Sequence, residues 1–315
     1  MSNSDPKTNP TCENETILCQ GDPVRVAEIK DTIMAAGDLP TLPTIAMEVA
    51  SLANNPMTGM SEIVRIIRND PSLTAKILRV ANSAFYGMPG RVESLNMALV
   101  VLGMREISNL VTCISVFKTF PLGGRGTSFD RRAFWEHSAG CGEIARVITS
   151  KLNMRLHGIE FTAGLLHDIG KIMLEQHFHE PFMQSLELIE SERVSSVDAE
   201  HRTIGADHAE IGAWMAESWS IPDSIGESIR YHHQPGLAPR NQPLAAVIHL
   251  ANVFTKAISC GDCRASLNEV LAQDPAWEIL AQENPELVSM DVVGFVEELE
   301  ENIERAKDLI RMANE

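Results

Sequence analysis

The stretch Leu165-Leu166-His167-Asp168-Ile169-Gly170-Lys171 sets two metal-ligand side chains next to each other inside an apolar, helix-like segment. Gly164 and Gly170 flank the pair and let a second helix or a ligand come close. Neighbours on a helix point about 100° apart, so His167 and Asp168 share an ion only if it sits between their two directions. Lys171 follows Asp168 by one turn on the same face, where it can hold a phosphate oxygen or pair with a carboxylate.

Moving outward, all ten histidines fall at or after His137. His137 lies in Trp135-Glu136-His137-Ser138, on the first long helical segment of the second half. His208 lies in Asp207-His208-Ala209-Glu210, and His232-His233 ends a helical segment just before Pro235. Five histidines and one aspartate therefore come from four helices or helix ends, the way inward-facing side chains converge in a helical bundle. A lone histidine is usually a core or surface residue with a satisfied hydrogen bond, and His-Asp is a common dipeptide; only the combination points to a metal. An imidazole and carboxylate set suits a divalent transition metal such as Fe, Mn, Ni or Zn better than Ca or Mg. His137, His167, Asp168, His208, His232 and His233 are too many for one closed tetrahedral zinc, so one open octahedral ion or a pair of ions is expected. Two ions bridged by Asp168 would activate a water and clamp a phosphate, with Lys171 as a phosphate contact.

The rest of the chain reads as all-α, in two lobes. Aromatic content is only 5%, so aliphatic residues, Met and Ala must fill the core, which favours close-packed helices. Residues Met1–Pro23 read as a disordered leader. Residues 24–120 form an N-terminal helical lobe with apolar residues at helical spacing, such as Ile45, Val49 and Leu52 or Ile63, Ile66 and Ile67. Asp70 before Pro71 is an N-cap followed by proline at the first helical position. Pro121–Ser128, with three glycines, reads as a linker. Residues 129–259 form the second lobe, with helices expected over Arg131–Leu152, Gly158–Gln176, Pro181–Glu192, Gly205–Ser218, Pro222–Tyr231 and Pro243–Ser259. Residues 260–315 form an acidic C-terminal extension, closed by a helix carrying Val292, Val296, Leu299 and Ile303.

The net charge is −17, and from Arg264 onward 13 acidic residues face 4 basic ones. Without a basic stripe, direct nucleic-acid binding is not expected. A small phosphate or nucleotide ligand is compatible with this charge, because a metal centre outweighs the global field locally. No run of about 18 uninterrupted apolar residues is present, so no membrane span is expected. The N-terminus lacks a basic start followed by an apolar stretch. The six dispersed cysteines are expected to be reduced thiols of a cytoplasmic protein. Cys260 and Cys263 form a lone Cys-x-x-Cys, a weak signal. Trp214 and Trp219 are expected in the core, and Asn82 is expected to cap or bridge the first lobe.

These motifs carry a family resemblance. His137, then Leu165-Leu166-His167-Asp168-Ile169-Gly170-Lys171, looks like the HD superfamily of metal-dependent phosphohydrolases. His208 and His232-His233 resemble the extended ligand set of its HD-GYP branch, which hydrolyses cyclic di-GMP. In the first lobe, Leu39-Pro40-Thr41-Leu42-Pro43, Ile67-Arg68-Asn69-Asp70-Pro71-Ser72-Leu73 and Val80-Ala81-Asn82-Ser83-Ala84-Phe85-Tyr86 are similar to HDOD domains. The resemblance spans about Val24 to Ser259. It implies a helical module of bacterial signalling pathways, often an output or regulatory domain, acting mainly through binding a signalling partner. It also implies that the five histidines and Asp168 are metal ligands. Two departures weigh against hydrolysis: Val247-Ile248-His249-Leu250-Ala251-Asn252 carries Asn252 where HD enzymes end the ligand set with an aspartate, and the Gly-Tyr-Pro motif is absent.

Overall fold

In the computed structural model, the described residues are 23–35, 43–55, 57–83, 86, 90–121, 129–156, 158–260 and 267–314. They are helical with no strand among them. The first lobe comprises α1 (Pro23–Ala35), α2 (Thr44–Asn54), α3 (Met60–Ile67), α4 (Pro71–Ala81), α5 (Leu95–Leu102) and α6 (Met104–Thr119). Local chemistry sets its boundaries. Asp70 Oδ1 accepts the Leu73 N–H at 3.0 Å and Pro71 starts α4. Gly103, at φ 87°, turns the chain between α5 and α6. Asn82 ends α4: its Nδ2 donates to Leu78 O at 2.7 Å and to Val92 O at 2.8 Å, and its Oδ1 accepts from Val92 N at 2.8 Å. It thus bridges two segments, as expected.

The second lobe comprises α7 (Arg131–Lys151), α8 (Ile159–Leu166), α9 (Gly170–His177), α10 (His179–Glu192), α11 (Ser196–Thr203), α12 (His208–Ser218), α13 (Asp223–Tyr231) and α14 (Gln242–Cys260). After it come α15 (Leu267–Leu271), α16 (Pro275–Glu283) and α17 (Val292–Asn314). Two boundaries differ from expectation. The single helix expected over Gly158–Gln176 is broken at His167-Asp168-Ile169, where i→i+3 bonds (Ile169 N to Leu166 O, 3.0 Å; Lys171 N to Asp168 O, 2.9 Å) tighten the chain into a turn. Between α10 and α12 lies α11, which the apolar pattern did not reveal.

The lobes share one core. Helix α6 packs on α8, where Asn109 Nδ2 donates to Gly158 O at 2.8 Å and Thr162 Oγ1 donates to Asn109 Oδ1 at 2.7 Å. Helix α17 lies across α4, α6 and α7, burying Leu299 and Ala306, so the acidic segment closes over both lobes. Trp214 and Trp219 are buried, as expected. Helix α14 is long and apolar enough to cross a membrane, contrary to the simpler reading of its sequence; here it lies mostly buried, packed on α7, α8 and α13. Its apolarity serves the core. Cys113 and Cys141 are buried free thiols, but Cys260 is disulfide-bonded, which departs from the expectation of reduced thiols throughout; its partner lies outside the described residues. The leader, nearly all of the linker and Cys263 also lie outside them.

Candidate metal centre

The helix break at His167-Asp168 lets both side chains enter one space. His167 ends α8 and Asp168 sits in the turn before α9. The turn is held against α12: a Cβ on Gly170 would run into the His208 carbonyl oxygen and lie 2.8 Å from Gly212 N. Glycine therefore permits the backbone approach that brings His208, at the N-terminus of α12, to Asp168. His232 caps the C-terminal end of α13, and His233 follows it. His137 comes from α7, which packs on α8 and α14.

All six sequence-selected residues are brought together. Asp168 is their hub. Its Oδ1 lies 3.2 Å from His208 Nε2 and 3.6 Å from His232 Nε2; its Oδ2 lies 3.5 Å from His167 Nε2 and 2.7 Å from Lys171 Nζ. His208 Nε2 is 2.9 Å from His233 Nε2. The His137 and His167 rings are 5.5 Å apart, and those of His167 and His232 5.0 Å. The donor atoms form two groups: Asp168, His208, His232 and His233 on one side, His137, His167 and Cys141 on the other, each with its donor atoms within 4.8 Å of one another.

The ring orientations suit metal ligation. His167 Nδ1 donates to Gly164 O, and His232 Nδ1 to Ile229 O, both at 2.7 Å. Each tautomer is thereby fixed, leaving Nε2 as a lone pair facing the hub. Both Nε2 atoms, together with Asp168 Oδ1, are buried without a well-formed hydrogen bond. Unsatisfied buried polar atoms are costly, so three of them converging on one point fit a cation-binding site. Glu200 of α11, which sequence reasoning missed, supports the third ring: its Oε2 accepts from His208 Nδ1 at 2.6 Å and from His208 N at 2.8 Å.

The electrostatics follow from this packing. Burial and the neighbouring His167 push His137 down to about 3. Burial also takes His167 to about 4, despite Asp168 beside it. Burial together with the facing histidines drives His232 and His233 well below the usual range. Burial opposes charge on His208 too, but Glu200 outweighs it and lifts this residue to about 9. For Asp168, burial works upward, yet His167, Lys171 and His208 hold the carboxyl well below its ordinary value. The centre thus pairs an ionised carboxylate with mostly neutral imidazoles, a donor set suited to a cation.

One neighbour, Cys141, was not foreseen as a contributor. Cys141 sits one turn after His137 on α7, its Sγ 3.5 Å from His137 Nε2, and it donates to Thr255 Oγ1 at 3.4 Å. The i, i+4 spacing from His137 was the available signal. Asn252 is buried on α14, one turn before Thr255, with Oδ1 lacking a hydrogen bond. A further group joins His201 of α11 to Asp207 and Glu210 at the start of α12. Asp207 accepts from Glu210 N at 2.8 Å, and Glu210 reaches back to Asp207 N in a capping box.

The fold and this centre define an all-helical, two-lobed architecture with a histidine–aspartate cluster in its second lobe. The family model for the HDOD domain matches residues 39–235, and the chain belongs to the HDOD domain family. Among solved structures, the chain is similar to an HDOD domain protein of unknown function from Geobacter sulfurreducens (TM-score 0.72, 23% identity, 91% of this chain and 97% of that one). It is also similar to a proposed phosphohydrolase from Shewanella amazonensis SB2B (0.69, 24%, 92% and 98%). A third similar structure is that of a proposed signal transduction protein from Marinobacter aquaeolei VT8 (0.68, 24%, 91% and 61%). At these identities the likeness speaks for the fold. An uncharacterized protein of Treponema pallidum (strain Nichols) is 27% identical over 229 residues, covering 72% of this chain but only 43% of that relative.

Proposed function

We propose that this chain is a signalling module whose second lobe holds one or two divalent transition-metal ions, and that it acts by binding a partner protein in the cytoplasm. The observation that carries this reading is the burial of the centre on its Asp168 side, His137 alone among the six being partly exposed. His167, His208 and His232 are wholly buried, and the Lys171 ammonium is bound to Asp168 instead of being offered to a ligand. Catalytic centres keep a coordination position open to substrate, whereas structural ones are closed. Asn252 supports the same reading, since a neutral amide balances two dications less well than a carboxylate. His137, His167, Asp168, His208, His232 and His233 would hold the metal, and Glu200 would orient His208. Bound metal would fix four helices relative to one another, giving a partner protein a defined surface.

A second reading is a metal-dependent phosphohydrolase acting on a nucleotide or cyclic dinucleotide. The splitting of the donors into two groups meeting at Asp168 favours it, because paired ions clamp phosphoryl oxygens. The test is elemental analysis of the purified chain, followed by assay for phosphate or linear dinucleotide release with added Mn or Fe. Stoichiometric metal without turnover is the expected result. Turnover that disappears in the His167→Ala/Asp168→Ala double variant would establish the hydrolase instead.

A further inference from the structure

The mechanism of partner binding gives Cys141 no task, yet its position is specific. It projects from the same face of α7 as His137 and is wholly buried. Its Sγ lies 3.5 Å from His137 Nε2. A tetrahedral ion with Zn–S of about 2.3 Å and Zn–N of about 2.0–2.1 Å spaces its sulfur and nitrogen donors about 3.5 Å apart. The third donor in reach is His167 Nε2, a buried nitrogen with no hydrogen bond, and it lies 3.5 Å from Asp168 Oδ2.

We infer that His137, Cys141 and His167 form a thiolate-containing metal position beside the one built from Asp168, His208, His232 and His233, with Asp168 bridging the two. This rests on the proposal that the second lobe binds metal, and it specifies a softer ion site there, selective for Zn or another thiophilic dication over Mn or Mg. The charge balance explains why a cysteine serves. The other two donors, His137 and His167, are neutral imidazoles, and a thiolate at Cys141 supplies the negative charge that balances a dication there. On binding, the thiol proton passes to solvent and the sulfur keeps the electron pair it gives to the metal. Thr255 is placed to hold the sulfur: it receives the Cys141 S–H now, and its own hydroxyl, at present donating to Ala251 O, can turn toward a thiolate.

The test uses the full chain loaded with Co(II) in place of Zn and compares wild type, Cys141→Ser and Cys141→Ala. The readouts are ions bound per chain and the near-ultraviolet thiolate-to-Co(II) charge-transfer band. The wild type is expected to bind two ions and show the band. Either variant is expected to lose the band and one of the two ions, keeping the other with less than a tenfold change in affinity. Bound Co(II) without the band in the wild type would overturn the assignment of Cys141 while leaving the metal-binding lobe intact, and it needs no variant to fold. A wild type that binds no ion at all would overturn both.

Discussion

Gly170→Ala tests the contact that builds the centre. Two effects oppose each other. Alanine favours a helix over glycine by about 0.5–1 kcal/mol, and Gly170 has no left-handed backbone requirement, so in open space the change would stabilise. Here the added methyl meets backbone: it would lie 2.8 Å from Gly212 N and 2.9 Å from the His208 carbonyl carbon, and closer still to the carbonyl oxygen. Ordinary contact begins near 3.4 Å, so the Gly212 contact alone asks α9 and α12 to part by about 0.6 Å, and the His208 carbonyl oxygen asks for more than twice that. No side chain can swing aside to absorb this. Overpacking costs about 1–3 kcal/mol, and a backbone-on-backbone clash belongs at the upper end. The net loss is therefore about 2 kcal/mol, or a fall in Tm of about 3–4 °C for a single core of this size. Metal affinity should fall with it, because ligand positions tolerate only about 0.2 Å and the same shift moves His208 from Asp168. Gly236→Ala is the control: nothing lies within 4 Å of its Cβ, and it should change stability by no more than about 0.5 kcal/mol. Thermal unfolding and metal content of the two variants give the answer. A Gly170→Ala protein with unchanged or raised Tm and full metal content would refute the close approach and the logic of the centre built on it.

Glu200→Gln keeps the shape beside His208 but removes the charge that orients it, and should weaken metal binding about 10–100-fold in a chelator competition titration. Because Glu200 lifts His208 to about 9, the site without metal holds a proton there that an ion must displace; in a Cys141→Ala background, where no thiol proton is lost, affinity should rise up to tenfold per pH unit between about 7 and 9 and then flatten, with one proton released at pH 7 by calorimetry in buffers of different ionisation heat. The same raised value gives the metal-free fold stability that is complete below 6.5 and lost as pH climbs through about 9, which pH-dependent melting without metal would register. Arg131 and Glu175 form a buried pair 2.5 Å apart, so Arg131→Met should cost about 3–5 kcal/mol, and Arg131→Met/Glu175→Leu should recover most of it in denaturant unfolding. Asn252→Asp should raise metal affinity measured by the same chelator competition; an unchanged value would place this residue off the centre.

Periodicity made the helices legible wherever one face is buried, as in α3 with Ile63, Val64 and Ile67. It failed at α11, whose buried residues are only Val197, Ala199 and Glu200 and which is held by packing on α10. It also ran through the His167-Asp168 break, because both sides of the break are equally apolar. The histidines and Asp168 were legible as a set because their residue types are rare together. Cys141 and Glu200 were harder to find. One looks like a core thiol, and the other becomes a partner of His208 only after α11 docks.

The orientation of the ligands divides the same way. His167 and His232 are both C-terminal caps, of α8 and α13, and each returns its Nδ1–H to the carbonyl three residues back, Gly164 and Ile229. The last carbonyls of a helix have no intrahelical partner, so these imidazoles satisfy the helix end and aim Nε2 at the metal with one bond. That device is local; the helix end at His232, just before Pro235, was readable in the sequence, whereas the one at His167 was not, because the apolar pattern runs through the break. His208 stands at a helix N-terminus, where no free carbonyl is at hand, and its Nδ1–H must find a carboxylate from another helix. Two of the ligand geometries are therefore set by α8 and α13 themselves, while the third depends on tertiary docking of α11 against α12. Loss of α11 packing should release His208 first and leave His167 and His232 aimed, so metal binding in this lobe reports on the seating of α11.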